Sequence, residues 1–232
     1  MNRRTAVIIP AYNEEYTIGD VVRGVKMLGV GYDVIVVNDN SSDKTSEKAK
    51  EEGAKVVELS YNLGIGGAVQ TGYKYALAGG YDACVQVDGD GQHPTQEIVR
   101  LVEALFENGY DMVIGSRFVE DTDYQVSFMR DMGIKILSFF LRMTTGLVVK
   151  DPTSGFRAIN RKALTLFSSQ YPQDYPEPES LVFARKRRFK IKEVPVKMKS
   201  RTHGMSSITP LLAAYYMGKV LLAMFIALFK KL

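Results

Sequence analysis

Cysteine occurs once, at Cys84 within the apolar stretch DACVQVD, so the chain has no partner for an internal disulfide. That scarcity fits a reducing compartment, with Cys84 serving core packing rather than chemistry. No secretory leader is legible either. MNRRTAVIIPAYNEE begins basic, but its apolar run is broken by Pro10 and followed by acids. A cytoplasmic protein is the expectation. Internal repeats, low-complexity tracts and linker-like composition are also lacking, so nothing marks a boundary between separately folded units. Nor is there a large charge excess, the formal net charge being +4. The positive residues nevertheless crowd the stretch from Arg185 to Arg201, which points to an anionic partner for the C-terminal part and not to nucleic acid. What is present is a globular composition: 232 residues, 46% hydrophobic and 24% charged, enough for one large or two small domains.

Short β-branched runs alternate with helical patterns along the first half. TAVIIP, DVIVVND, AKVVEL, DACVQVD and DMVIGS read as strands, and 14–28, 43–52, 66–77 and 94–107 as the helices between them. Ser42 or Asp43 and Pro94 are helix-start signals. Such alternation predicts an α/β fold, a mainly parallel sheet with helices on both faces. Ligands of such sheets bind beyond the carboxyl ends of the strands. The polar segments fall there: AYNEE, NDNSSD, YNLGIGG, DGDGQH and SRF follow the five strands in turn.

Within DGDGQHP, Asp88 and Asp90 stand one residue apart. Two carboxylates so close repel unless a cation, a proton or full solvation separates them. An acidic turn in solvent is one reading, since DGDG is ordinary loop chemistry. A phosphatase aspartate pair is another, but it would end the first strand and carry Thr where Gln92 stands. Gly64, Gly66 and Gly67 superficially suggest a dinucleotide-binding loop. They follow the third strand rather than the first, with Val69 at the last glycine position and no phosphate-loop lysine, so a tight turn into a helix is the better reading.

IIPAYNEE, VVNDNSSD, NLGIGGAVQTGYKYA, DGDGQHP, GSRF, DPTSGFRA, EVPV and RTHGMSS follow one another in this order. Taken together, they resemble the inverting glycosyltransferases of family 2, and within them the polyprenyl-phosphate hexosyltransferases such as the dolichyl-phosphate mannosyltransferases. The resemblance runs from Val7 to about Ser207 and departs at Asn38, where the family usually carries a second acid beside Asp39. It implies the GT-A fold, a nucleotide-sugar donor and a polyprenyl phosphate acceptor. It makes Pro10, Tyr12 and Glu14 nucleotide contacts and gives Asp39 the base or ribose. Asp90 takes the direct metal contact, Asp88 lies near ribose and metal, and Gln92 is close by, with His93 undecided. A leaving diphosphate requires neutralisation, and hard oxygen ligands suit Mg²⁺ or Mn²⁺.

A lipid monophosphate is already an anionic nucleophile, so the acceptor side needs orientation more than a base. Arginine forks match phosphate. Arg117, Arg130, Arg157 and Arg201 are the candidates, with Ser206 and Ser207 as hydroxyl donors. Two apolar segments bear on the lipid tail. In MGIKILSFFLRMTTGLVV, 132–149, Lys135, Ser138, Arg142 and Thr145 form a polar stripe and Ile134, Ile136, Leu137, Phe140 and Leu141 a broad apolar face, which suits an interfacial helix or a core helix. The second, 211–229, is apolar except for Lys219, which would cost about 2.5 to 3.5 kcal/mol at a bilayer centre. A helix lying on the membrane is favoured over one that spans. Lys230, Lys231 and Arg185, Lys186, Arg187 and Arg188 would then face anionic headgroups at about 1 kcal/mol each.

The expectation is a catalytic domain over 1–207 and a membrane-associated helix over 208–232. A hexose, with UDP-glucose preferred to GDP-mannose, passes to undecaprenyl phosphate at the cytoplasmic face of the cell membrane, for cell-surface glycan assembly. The protein would be peripheral or monotopic, and its state as monomer or homo-oligomer stays open. A related reading transfers sugar to a glycan hydroxyl and needs a base, for which Asp151, Glu177 or Glu179 could serve. A non-enzymatic reading is a nucleotide-binding membrane adaptor.

Overall fold

In the computed structural model, the described residues are 3–107, 109–119, 128–198 and 210–231. Five strands form where the β-branched runs predict them: β1 (Thr5–Ala11), β2 (Tyr32–Asn38), β3 (Lys55–Glu58), β4 (Ala83–Gln86) and β5 (Met112–Ser116). Two more, β6 (Arg157–Asn160) and β7 (Ile191–Pro195), complete a seven-stranded sheet in the order β3-β2-β1-β4-β6-β5-β7. All neighbouring strands pair in parallel except β6, which runs antiparallel to both β4 and β5. The antiparallel strand brings its amino end, and the DPTSGF segment before it, to the carboxyl edge of the others. Four residues with Arg and Asn at the ends carry little strand signal of their own.

β1 is buried on both sides, and its alternate residues feed two cores. Ala6 and Ile8 join a cluster built from α3 (Gly64–Ala78), α5 (Phe128–Thr145), α6 (Arg161–Ser169), α7 (Pro176–Lys186) and α8 (Pro210–Phe229). Val7 and Ile9 join the other, made by α1 (Ile18–Lys26), α2 (Thr45–Glu51) and α4 (Glu97–Glu107). Near-continuous apolar strands are what a sheet covered on both faces requires. Cys84 is fully buried in the first core, and burial pushes its thiol up.

Two helix boundaries differ from the sequence pattern for local reasons. α1 starts at Ile18 rather than Glu14, because Asn13 adopts φ 56° and the Glu14 carbonyl closes a turn on Thr17 and Ile18. α3 begins at Gly64, two residues early, where φ +75° suits glycine and Asp39 accepts the Leu63 and Gly64 N–H groups at 2.7 and 2.9 Å.

α5 corrects the expected division of its faces. Ile134, Leu137 and Leu141 enter the core, while Ile136 does not; it joins Met129, Met132, Phe139 and Met143 in an exposed stripe. The spacing of three and four residues keeps that stripe on one side of the helix. α8 packs on α7 and α5, buries Met224 and Ala227, and exposes Tyr215, Tyr216, Leu222, Phe225, Ile226 and Phe229. Among the described residues no helix is long and apolar enough to cross a membrane. Lys219 is exposed, its ammonium 4.7 Å from the Tyr215 ring centroid.

The C-terminal ends of α5, α7 and α8 meet. Arg185 Nε donates to Thr145 O at 2.9 Å, and Lys186 Nζ donates to Leu228 O at 2.8 Å. Part of the basic cluster therefore satisfies last-turn carbonyls.

Candidate active site

The strand order reverses between β1 and β4, and there the loops leaving the two strands part to open a crevice. A cavity of about 250 Å³ lies in it, lined by Pro10, Tyr12, Glu14, Asp39, Asp88 and Asp90, together with Ile65, Ala68 and Glu177. Short polar bonds fix the rim. Asn13 N–H donates to Ser41 Oγ at 3.0 Å, Ser42 N–H to Asn13 Oδ1 at 2.9 Å, and Glu14 N–H to Thr45 Oγ1 at 2.8 Å, lacing the first loop to the second. The Thr17 hydroxyl donates to Gly89 O at 2.7 Å and ties the DGDG turn to the same frame. Gly89 is closely packed: a Cβ there would stand 3.3 Å from Pro10 O.

Asp39 is 4% exposed, its two carboxylate oxygens each accepting a backbone N–H of the turn into α3. Asn38 also gains a physical account. Its amide donates to Glu58 at 2.7 Å, so a carboxylate at this position would face another one. Burial opposes ionisation of Glu58, yet Lys50, Ser46 and Asn38 outweigh it and hold that carboxyl down at about 2.

A second cavity of about 90 Å³ adjoins the first, lined by Asp88, Gln92, His93, Arg117, Arg130, Thr153, Ser154, Gly155 and Met198. Asp88 belongs to both. Arg117 Nε and Nη2 each donate to a carboxylate oxygen of Asp151 at 2.7 Å, and Nη2 also reaches Thr153 Oγ1 at 2.9 Å. With Arg117 6% and Asp151 0% exposed, this fork fixes the guanidinium in one orientation at the cavity wall. Arg130 reaches the same wall from the first turn of α5.

Arg157 requires correction as a phosphate ligand. It is 1% exposed and donates to Ser154 O at 2.7 Å, Ser180 Oγ at 2.7 Å and Pro152 O at 3.0 Å, so it is a strut joining the DPTSGF segment to α7. Arg201, Ser206 and Ser207 lie outside the described residues. Of the three candidate bases, Asp151 is engaged by Arg117, Glu179 lines neither of these cavities, and Glu177 lines the first. Burial raises the Glu177 carboxyl, with Arg157 opposing and Asp88 reinforcing the shift.

Asp88 and Asp90 project into the first cavity, and Asp90 Oδ1 accepts the Gln92 N–H at 3.0 Å. Two carboxylates are hard donors of the kind that suit Mg²⁺ or Mn²⁺, and Gln92 lines the second cavity beside Asp88. Among the described residues no three His, Cys, Asp or Glu side chains gather as a metal site. The protein thus offers part of a coordination shell, which fits an ion that completes it with substrate oxygens and water. Sequence reasoning missed Ile65, Ala68, Thr153, Ser154 and Gly155 as cavity walls. The DPTSGFRA segment was legible as a motif, but its side chains and backbone reach the site only because β6 is antiparallel.

Comparison with known proteins accords with this geometry. The chain is 31% identical over 245 residues to the UDP-N-acetylglucosamine–dolichyl-phosphate N-acetylglucosaminyltransferase of Methanococcus voltae, covering 93% of this chain and 97% of that protein. It is 30% identical over 217 residues to the polyprenol monophosphomannose synthase of Mycolicibacterium smegmatis, covering 89% and 82%. Among solved structures, glucosyl-3-phosphoglycerate synthase from Mycobacterium tuberculosis, in complex with Mn²⁺, UDP and phosphoglyceric acid, superposes with a TM-score of 0.74 at 25% identity, over 97% of this chain and 78% of that one. The fold is α/β and GT-A-like. Residues 6–167 match the family model described as glycosyl transferase family 2, and the chain belongs to that family.

Proposed function

We propose that the protein transfers a hexose from a nucleoside diphosphate sugar to a polyprenyl phosphate, with inversion, at the cytoplasmic face of a membrane. The observation that carries this reading is the position of Asp88, which lines both the acidic cavity and the adjoining arginine-walled one. A donor diphosphate on the Asp88 and Asp90 side and an acceptor phosphate on the Arg117 and Arg130 side would be held in line. An acceptor phosphate oxygen then bonds to the anomeric carbon as the bond to the diphosphate oxygen breaks. No proton has to be removed, so no base is required. Arg117, oriented by Asp151, and Arg130 offset the repulsion between the two anions.

Asp88, Asp90 and Gln92 would hold Mg²⁺ or Mn²⁺, whose charge, when bound, lowers the cost of diphosphate departure. Tyr12, Pro10 and Asp39 receive the nucleoside. The relatives named for dolichyl and polyprenyl phosphates support the acceptor class. UDP-glucose is the favoured donor, its uridine nucleotide supported by the relative named for UDP-N-acetylglucosamine and by the mycobacterial synthase complex with UDP. The exposed apolar stripes of α5 and α8, with Arg187, Lys230 and Lys231 at their common end, support peripheral or monotopic attachment to an anionic membrane.

Glu177 favours a second reading. Its carboxyl lines the donor cavity and is raised, as a base acting on a glycan hydroxyl would be. A panel of nucleotide sugars, offered with undecaprenyl phosphate or with neutral glycans, separates the two. Product on the lipid phosphate alone, abolished by EDTA and restored by Mn²⁺, is the expected result. Transfer to neutral glycans alone overturns the lipid-phosphate reading.

A further inference from the structure

The His93 imidazole is 7% exposed and stacks on Phe156 with ring centroids 4.9 Å apart and planes 16° from parallel. Phe156 cannot recede: it is fully buried and presses on Gly115, where a Cβ would stand 2.7 Å from its ring. The Asp88 N–H donates to His93 Nδ1 at 3.0 Å. A nitrogen that accepts a hydrogen bond carries no proton, so the ring's proton sits on Nε2. Nε2 lies 3.5 Å from Asp88 Oδ2, a close approach without an aligned hydrogen bond. One ring therefore holds the backbone of Asp88 through one nitrogen and lies close against its carboxylate. The Gly155 backbone also lies close, since a Cβ there would stand 3.1 Å from Gln86 Nε2 and 3.2 and 3.3 Å from the two Asp88 carboxylate oxygens.

We propose that His93 is a positioning residue, not a metal ligand: by holding the Asp88 backbone it sets where the Asp88 carboxylate stands between the two cavities. Groups that orient a ligating side chain tune metal affinity without touching the metal. The inference rests on the reading of Asp88 and Asp90 as metal contacts.

The test measures Mn²⁺ and Mg²⁺ dissociation constants in the presence of UDP for the wild type, His93→Phe, His93→Asn and Gly155→Ala. Phe retains the stacking and loses the acceptor for the Asp88 N–H, so both affinities should fall about tenfold or more. They should fall in parallel. Asn keeps an acceptor near the Asp88 N–H and should recover part of the loss. Gly155→Ala crowds the carboxylate directly and should give the same parallel loss. If His93 were a ligand, its nitrogen would favour Mn²⁺ over Mg²⁺, and its removal would lower Mn²⁺ affinity selectively. That selective loss, or wild-type affinities in folded His93→Phe, overturns the proposal. Nitrogen-15 NMR of the intact protein, which has two histidines, should show the neutral Nε2–H tautomer at pH 7.5; the Nδ1–H tautomer overturns it without any variant. Wild-type Mn²⁺ binding in Asp90→Asn would instead remove the metal reading itself.

Discussion

At the scale of single residues, the acidic pair and the buried arginines make opposite demands on a substitution. Asp90 stands in the donor cavity with one oxygen accepting the Gln92 N–H. Asp90→Asn keeps the shape and removes the charge, so transfer should fall by at least about 100-fold while the circular dichroism spectrum is unchanged. Full activity in that variant, or in EDTA, would falsify the metal role. Arg157→Met reverses the pattern. Three buried oxygens lose their donor, which costs about 3 kcal/mol and should lower the melting temperature by roughly 10 °C in a domain of this size. Glu177 adds a pH dependence. Its folded carboxyl is raised, so the ionised form costs stability; the cost is absent below the unfolded value and grows as pH rises through the folded one. Glu177→Gln should therefore melt higher than the wild type at pH 7.5, with the difference vanishing near pH 4, and should retain measurable transfer to lipid phosphate. Complete loss of transfer in that folded variant returns the argument to the hydroxyl acceptor.

At the scale of elements, α5 and α8 each have a core face and an apolar outer face. The core face is why deleting α8 is a blunt test, since Met224 and Ala227 would leave the cluster beneath α7. Replacing Leu222, Phe225 and Phe229 with Gln changes only exposed positions and should leave the melting temperature within about 2 °C, surface substitutions being nearly neutral. Co-sedimentation with anionic liposomes should drop several-fold. Raising salt from 0.05 to about 0.5 M should weaken binding of the wild-type chain as well, through screening of Arg187, Lys230 and Lys231. Unchanged co-sedimentation of the triple variant would remove the outer face of α8 from the attachment. α7 links the two ends of this layer: Glu177 in its first turn lines the donor cavity, and Arg185 and Lys186 in its last turn join the C-terminal ends of α5 and α8.

At the scale of the whole molecule, the donor cavity joins loops from β1, β2 and β4 with the first turns of α3 and α7. A ligand seated there bridges both cores and should stabilise the fold as a unit. At 100 times its dissociation constant, a ligand adds about 2.7 kcal/mol. UDP with Mn²⁺ should thus raise the melting temperature by roughly 5–10 °C, and Asp90→Asn should abolish the increment. An equal shift with UDP in EDTA would show that the nucleotide binds without the ion.

The sequence by itself determined the alternating α/β plan, because five β-branched runs and four amphipathic segments carry their periods locally. It also determined the donor side of the site: in a parallel sheet every strand ends at the same edge, so AYNEE, NDNSSD and DGDGQH had to converge. Tertiary structure decided the acceptor side. β6 is too short and too polar at its ends to announce itself, and its reversed direction places Gly155 and Phe156 against Asp88 and His93. Pairing decided the arginines too. Arg117 and Arg157 look alike in sequence, each two residues after a glycine and next to a phenylalanine. Arg117 meets the buried Asp151 at a cavity wall, whereas Arg157 points inward to carbonyls and Ser180. Such distinctions rest on contacts between residues 23 to 34 positions apart, which no local period encodes, because burial and partner geometry exist only once the sheet has closed.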